Sequence, residues 1–183
     1  DDLIRENFYD QAKLLNPFID FFYFDVLSSI KEINLAIEAI TSFNKPYLIG
    51  AHISEGTRLP SNESVSDIVN KIEHKNLLGI ILSCVSPENY EKNLDEIKNL
   101  GIPFGFKLNA FVKTTNTKDG YMTSKTLYKK SNGNPNKLLG QRKDLTPERM
   151  AEIAKKFKDS GATILGGCGE TRPAHIKAMS KLK

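Results

Sequence analysis

Cysteine is scarce. Cys84 and Cys168 are the only two in 183 residues. Two cysteines without dense spacing exclude a disulfide-stapled scaffold and make a reducing compartment, the cytoplasm, the expected location. Long hydrophobic runs are missing as well. No stretch approaches the roughly 20 apolar residues of a membrane-spanning helix, so no membrane partner is expected. Neither sign of charge dominates: 26 Lys and Arg stand against 22 Asp and Glu, a net charge of +4. That excess is too mild to indicate a nucleic-acid face. The opening DDLIRENFYDQA is charged and helix-like, unlike a secretory signal. It also lacks a methionine, which suggests a processing or truncation point.

What is present describes an ordinary globular chain, 39% hydrophobic and 26% charged. Its length suits one domain with a core of its own. One pattern recurs along it. Residues 3–15 read as a helix, and the aromatic-rich FIDFFYFDV at 18–26 reads as a buried strand. Ser29 is placed to cap the next helix, with Glu32 as its capping-box partner. Apolar residues at 30, 33, 37 and 40 have helical spacing. PYLIGAHI (46–53) is a strand, 64–75 a helix, and LLGIILSC (77–84) a strand. Ser86-Pro87-Glu88 and Thr146-Pro147-Glu148 are two helix-start signals of the same kind, opening helices to about 99 and 159. Residues 102–109 and 162–168 complete five strands. Gly161 ends one helix and Pro173 opens the last.

Strand–helix alternation implies an α/β fold with parallel strands and helical crossovers. The buried, non-alternating strands suit a sheet covered on both faces. An open doubly wound sheet and part of a (β/α)8 barrel both remain. A whole barrel needs about 250 residues, so five strands would make an incomplete one. Such a sheet would leave an apolar edge beside residues 18–26, and self-association is then expected.

The chemistry-bearing residues collect in one place. Asp25, His52, Cys84, Asn109 and Cys168 all fall at the C-terminal ends of strands, where parallel barrels build active sites. Two cysteines distant in sequence would meet there, a pairing suited to a borderline metal such as zinc. The plain alternative is two buried apolar cysteines. His52 and His74 have no recognisable partner, and His175 reads as structural. Residues 107–143 carry nine Lys or Arg and one acid among turn-forming residues. The connection at 110–145 reads as a mobile lid over the rim rather than a nucleic-acid tongue. The shorter EGTRLPSNES (55–64) could play a similar part.

Four segments carry a resemblance. GATILGGCGETRPAHIKAM resembles the closing motif of the homocysteine S-methyltransferase family, a strand ending Gly-Gly-Cys-Cys before a Pro-x-His-Ile helix start. IILSCVSPE resembles that family's Asn-Cys strand end. FKLNAF resembles its Pro-Asn-Ala-Gly strand, and FYFDVLSSIKE its Phe-Glu-Thr strand. The four stand in the family's order.

The resemblance implies an incomplete (β/α)8 TIM barrel of strands four to eight, all parallel, with residues 1–183 as the C-terminal fragment of a homocysteine-binding barrel. The missing N-terminal half, or a homo-oligomer, would complete it. It implies zinc held by cysteine thiolates, with Cys84 and Cys168 as ligands. Gly169 stands where the family has its third thiolate, and Glu170 is a substitute ligand to consider. Asp25 would hold the substrate ammonium, with Asn109 beside it as a substrate-binding or backbone-shaping residue. The implied reaction moves a methyl group from an unidentified donor to homocysteine, giving methionine. Writing cysteine back at 169, where glycine is expected to adopt a positive φ, should then raise zinc occupancy. The alternatives are an inactive relative or binding subunit that has lost the third ligand, and a barrel lyase of other chemistry.

Overall fold

The computed structural model describes residues 1–53, 55–112 and 139–182. Most of the basic connection at 110–145 therefore lies outside the described residues. Five strands form one sheet: β1 (Phe22–Leu27), β2 (Tyr47–His52), β3 (Leu77–Val85), β4 (Phe104–Leu108) and β5 (Ile164–Gly167). They lie in sequential order, and every neighbouring pair is parallel. The described helices are α1 (Asp2–Leu15), α2 (Ile30–Ile40), α3 (Val65–Lys71), α4 (Pro87–Lys98), α5 (Pro147–Asp159) and α6 (Pro173–Met179).

Helix starts follow the capping residues. Ser29, Ser86 and Thr146 accept hydrogen bonds from the backbone N–H groups of Glu32, Asn89 and Arg149 at 3.0, 3.2 and 3.2 Å. The box at Ser29 differs from the expected one. The Glu32 carboxylate takes the N–H of Ser28 at 2.8 Å, one residue further back. Gly161, at φ 107°, ends α5 in a left-handed turn, and the N–H of Ala162 returns to the Phe157 carbonyl at 3.1 Å.

Two elements are shorter than their sequence implies. α3 stops at Lys71 rather than 75, because Ile72 turns extended to pack on the core. His74 Nε2 then donates to the Val69 carbonyl that the lost turn leaves behind. β1 begins at Phe22 rather than 18. Residues Asn16–Phe18 form a 3-10 turn around Pro17, and Lys45 Nζ holds the Ile19 carbonyl at 2.6 Å. Phe18 and Phe21 are consequently 84% and 45% exposed, so the expected apolar patch beside the β1 edge is there.

The main core lies on one face of the sheet with the helices, and on the other face Gly50, Ile81, Ser83 and Gly105 are also buried. Alternation sends Phe22, Phe24, Ile49, Ala51, Ile80, Leu82, Phe104 and Phe106 into a single core with the helices' buried residues. Within it Tyr90 of α4, Phe106 of β4 and Phe157 of α5 meet ring to ring at 4.6–5.7 Å. Leu48, Ile81 and Ile164 project to the opposite face and stand outside that core. Tyr23, Gly50, Ser83, Gly105 and Lys107 share that second face by the same alternation. No described helix is long and apolar enough to cross a membrane.

Candidate active site

The C-terminal strand ends converge as the sequence implied, and two bulges determine how. Strand register shifts between Phe24 and Leu27 in β1, and between Ser83 and Val85 in β3. Each bulge holds one residue in the left-handed region, Val26 at φ 61° and Cys84 at φ 56°. A β-branched residue there is strained, and a bulge re-aims its side chain. Both side chains are thereby turned into one apolar cluster with Phe111, Leu139 and Cys168. Cys84 is therefore a bulge residue inside β3, not its last residue.

Asn109 fixes the second bulge. It is 1% exposed. Its amide donates to the Cys84 carbonyl at 2.7 Å and lies 3.8 Å from the Cys84 sulfur. Its side-chain oxygen accepts from the N–H of Phe111 at 3.3 Å. Both ends of the amide are thus engaged by protein groups. Cys168 is set by the tight turn after β5. Its N–H reaches the Leu108 carbonyl at 2.6 Å, and its carbonyl accepts from Thr171 Oγ1 at 2.6 Å.

The two free thiols dominate each other's ionisation. Hydrogen bonding to Cys168 and burial push the Cys84 thiol up, so it keeps its proton. Hydrogen bonding from Cys84, helped by Lys107 and the N–H of Gly169 against the cost of burial, brings Cys168 down to about 7. The pair is therefore a thiol donating to a thiolate near neutral pH.

Beside it lies a polar network that sequence reasoning missed, apart from Asp25. Lys107 Nζ forms an ion pair with Asp25 Oδ2. Tyr23 donates to Asp25 Oδ1 at 2.8 Å, and its hydroxyl also meets Ser83 Oγ. Burial pushes the Tyr23 phenol up, which keeps it a donor. The Lys107 ammonium also lies 5.6 Å from the centre of the Tyr23 ring. Gly50 makes the Tyr23–Ser83 contact possible across β2. A Cβ there would stand 2.5 Å from Ser83 Oγ and 2.8 Å from the Tyr23 hydroxyl. The signal for this network was period-two alternation, which puts residues 23, 50, 83 and 107 on one face.

The histidines separate cleanly. His52 is buried at the rim, its Nδ1 3.4 Å from the Ser83 carbonyl, and burial lowers its pKa so that the ring stays neutral. His175 is structural: Nδ1 accepts from the Arg172 N–H and Nε2 donates to the Leu145 carbonyl, both at 2.9 Å. His74 is exposed beside Val69, away from the rim. The 55–64 segment is tied down by Ser61, which donates to the Ser28 carbonyl at 2.9 Å, and by Asn93, which holds the Gly56 carbonyl at 2.9 Å.

The donor set does not fit a three-thiolate zinc site. Among the described residues no group of three or more His, Cys, Asp or Glu side chains is gathered as ligands. Gly169 offers no side chain, and the Phe111 ring fills the space that one would take. The expected positive φ belongs to Glu170, at 61°, and not to Gly169. The Glu170 carboxylate is engaged by Arg172 at 3.2 Å. The sequence model of homocysteine S-methyltransferase matches residues 1–182. That family is one of methyltransferases, generally zinc-dependent, which bind homocysteine and a methyl donor. A match over nearly the whole length, on a parallel α/β sheet whose two cysteines meet at the strand ends, leads to one conclusion: this chain belongs to the homocysteine S-methyltransferase family.

Proposed function

We propose that the chain takes part in methyl transfer to the sulfur of homocysteine, giving methionine in the cytoplasm, where both thiols stay reduced. The observation that carries this reading is the meeting of Cys84 and Cys168 at the C-terminal rim, beside a cation and a carboxylate. In the reaction the homocysteine sulfur, as thiolate, attacks the methyl carbon in line. A sulfur–carbon bond forms, the donor's bond to that carbon breaks, and its electron pair leaves with the donor. The thiol proton goes to solvent. No step is assigned to zinc, because the described residues do not make up its ligand set.

This chain's own groups bind and orient. Asp25 is the acceptor proposed for the substrate ammonium. Both of its oxygens already hold Tyr23 and Lys107, so an incoming ammonium displaces Lys107, which then faces the substrate carboxylate. Asn109 acts by fixing the Cys84 bulge. The five strands are read as the fourth to eighth of a (β/α)8 barrel. Sequential strand order, a helix core on one face and, among the described residues, outer strands paired on one side each support that reading. Further strands, from elsewhere in a longer chain or a second copy, would close it.

The test is to incubate the full chain with homocysteine and, in turn, a sulfonium, a betaine and a methyl-corrinoid donor, and to measure methionine by mass spectrometry. Methionine should form with at least one donor and be lost in Cys84→Ser and Cys168→Ser. A second reading, a relative that binds homocysteine without turnover, is favoured by the filled third-ligand position. Homocysteine binding by calorimetry without methionine from any donor would select it, and absence of both would overturn both.

A further inference from the structure

Glycine at 169 is not demanded by its backbone. Its φ lies outside the left-handed region, which Glu170 occupies instead. The demand comes from across the turn. A Cβ on residue 169 would stand 2.1 Å from Cζ, 2.4 Å from Cε2 and 3.1 Å from Cε1 of Phe111. Carbon atoms in contact need about 3.5–4.0 Å. The ring cannot simply step aside, because its backbone is held on both sides. The Ala110 N–H bonds the Gly169 carbonyl at 2.9 Å, the Arg142 N–H bonds the Ala110 carbonyl at 2.8 Å, and Phe111 bridges to Gln141. The ring itself is 4% exposed and packs with Cys84, Leu139, Val26 and Cys168.

We propose that Phe111 is a steric stopper, a matched partner of Gly169, whose ring occupies the seat of a third thiolate and limits the protein's contribution to any bound cation to the two sulfurs of Cys84 and Cys168. The two positions are coupled. A side chain at 169 requires a smaller one at 111. The third seat is thus filled by the ring, and Gly169→Cys alone does not complete the site. This inference stands apart from the methyl-transfer reading, since it concerns metal affinity and packing only.

The test uses the full chain and two readouts. Zinc affinity is measured by competition with a chromophoric chelator for the natural protein, Gly169→Cys, Phe111→Ala and the double variant. Neither single substitution should raise affinity, and the double should raise it on the order of 100-fold by completing a three-thiolate set. Thermal unfolding of Gly169→Ala, with and without Phe111→Ala, forms a metal-free cycle. Gly169→Ala should lower the midpoint when Phe111 is present and have little effect when it is removed. Gly169→Cys alone matching the double variant in zinc affinity would overturn the proposal. So would an equal effect of Gly169→Ala in both backgrounds, which also decides the matter should the cysteine double variant fail to fold.

Discussion

At the rim Lys107 acts on three charged or polar groups at once. It neutralises Asp25, lies near the Tyr23 ring and favours the Cys168 thiolate. Alkylation of the native protein with iodoacetamide should modify Cys168 before Cys84, at a rate rising through pH about 7, where Cys168 ionises. Cys84 should react late, because its proton is held by Cys168 and by burial. Lys107→Met removes a favourable charge, so the Cys168 inflection should move to higher pH. The same variant removes the cation assigned to the substrate carboxylate and should weaken homocysteine binding by calorimetry, by about 10-fold for one lost charge contact. An unmoved inflection together with unchanged binding would count against the role given to Lys107.

Among elements, the short ones are decided by their ends. α3 has seven residues, too few to persist without its caps and packing. Ser64 Oγ accepts from the Asp67 N–H at 3.1 Å, and the Asp67 carboxylate accepts from the Ser64 N–H at 3.0 Å. The Ser64 N–H, followed by Lys71, holds the Asp67 pKa down to about 2. That is below the ordinary aspartate value of about 3.9 in an unfolded chain. The capping contribution is therefore fully present above pH about 4 and is lost as pH falls through about 2. Amide exchange by NMR should show the first turn of α3 losing protection in that window. The α2 start, where Ser29 Oγ caps Glu32, provides the comparison within the same spectra. A pH-independent α3 would mean that the Ser64 hydroxyl alone carries the cap.

At the scale of the molecule, the sheet ends openly. β1 pairs only with β2, and β5 only with β4, among the described residues. Leu3 and Leu14 of α1 and Phe18, in the turn before β1, are 70%, 74% and 84% exposed. Exposed edges and apolar patches of this kind recruit other chains. The chain studied alone should self-associate with rising concentration in sedimentation velocity, and Leu14→Lys with Phe18→Ser should reduce that association. A stable monomer at all concentrations would argue for a sheet complete in itself.

Much of the fold was legible because it is written locally. Ser29, Ser86-Pro87, Thr146-Pro147 and Gly161 mark helix ends through contacts within a few residues. Apolar runs marked all five strands, and their alternation with helices fixed the parallel sense. Asp25, His52, Cys84, Asn109 and Cys168 could be grouped beforehand, because parallel strands bring their C-terminal ends together whatever the details. The sequence could not say that Cys84 and Val26 sit in bulges, since a bulge is a mismatch between two strands rather than a property of one. Nor could it pair Lys107 with Asp25, or tell that Gly169 answers a phenyl ring rather than its own backbone. Those contacts join residues distant along the chain. Local chemistry on the chain thus determined the elements and the end of the sheet where the candidate site residues gather. Only the tertiary structure decided which side chains share that space, because steric exclusion and charge pairing act between surfaces that meet after folding.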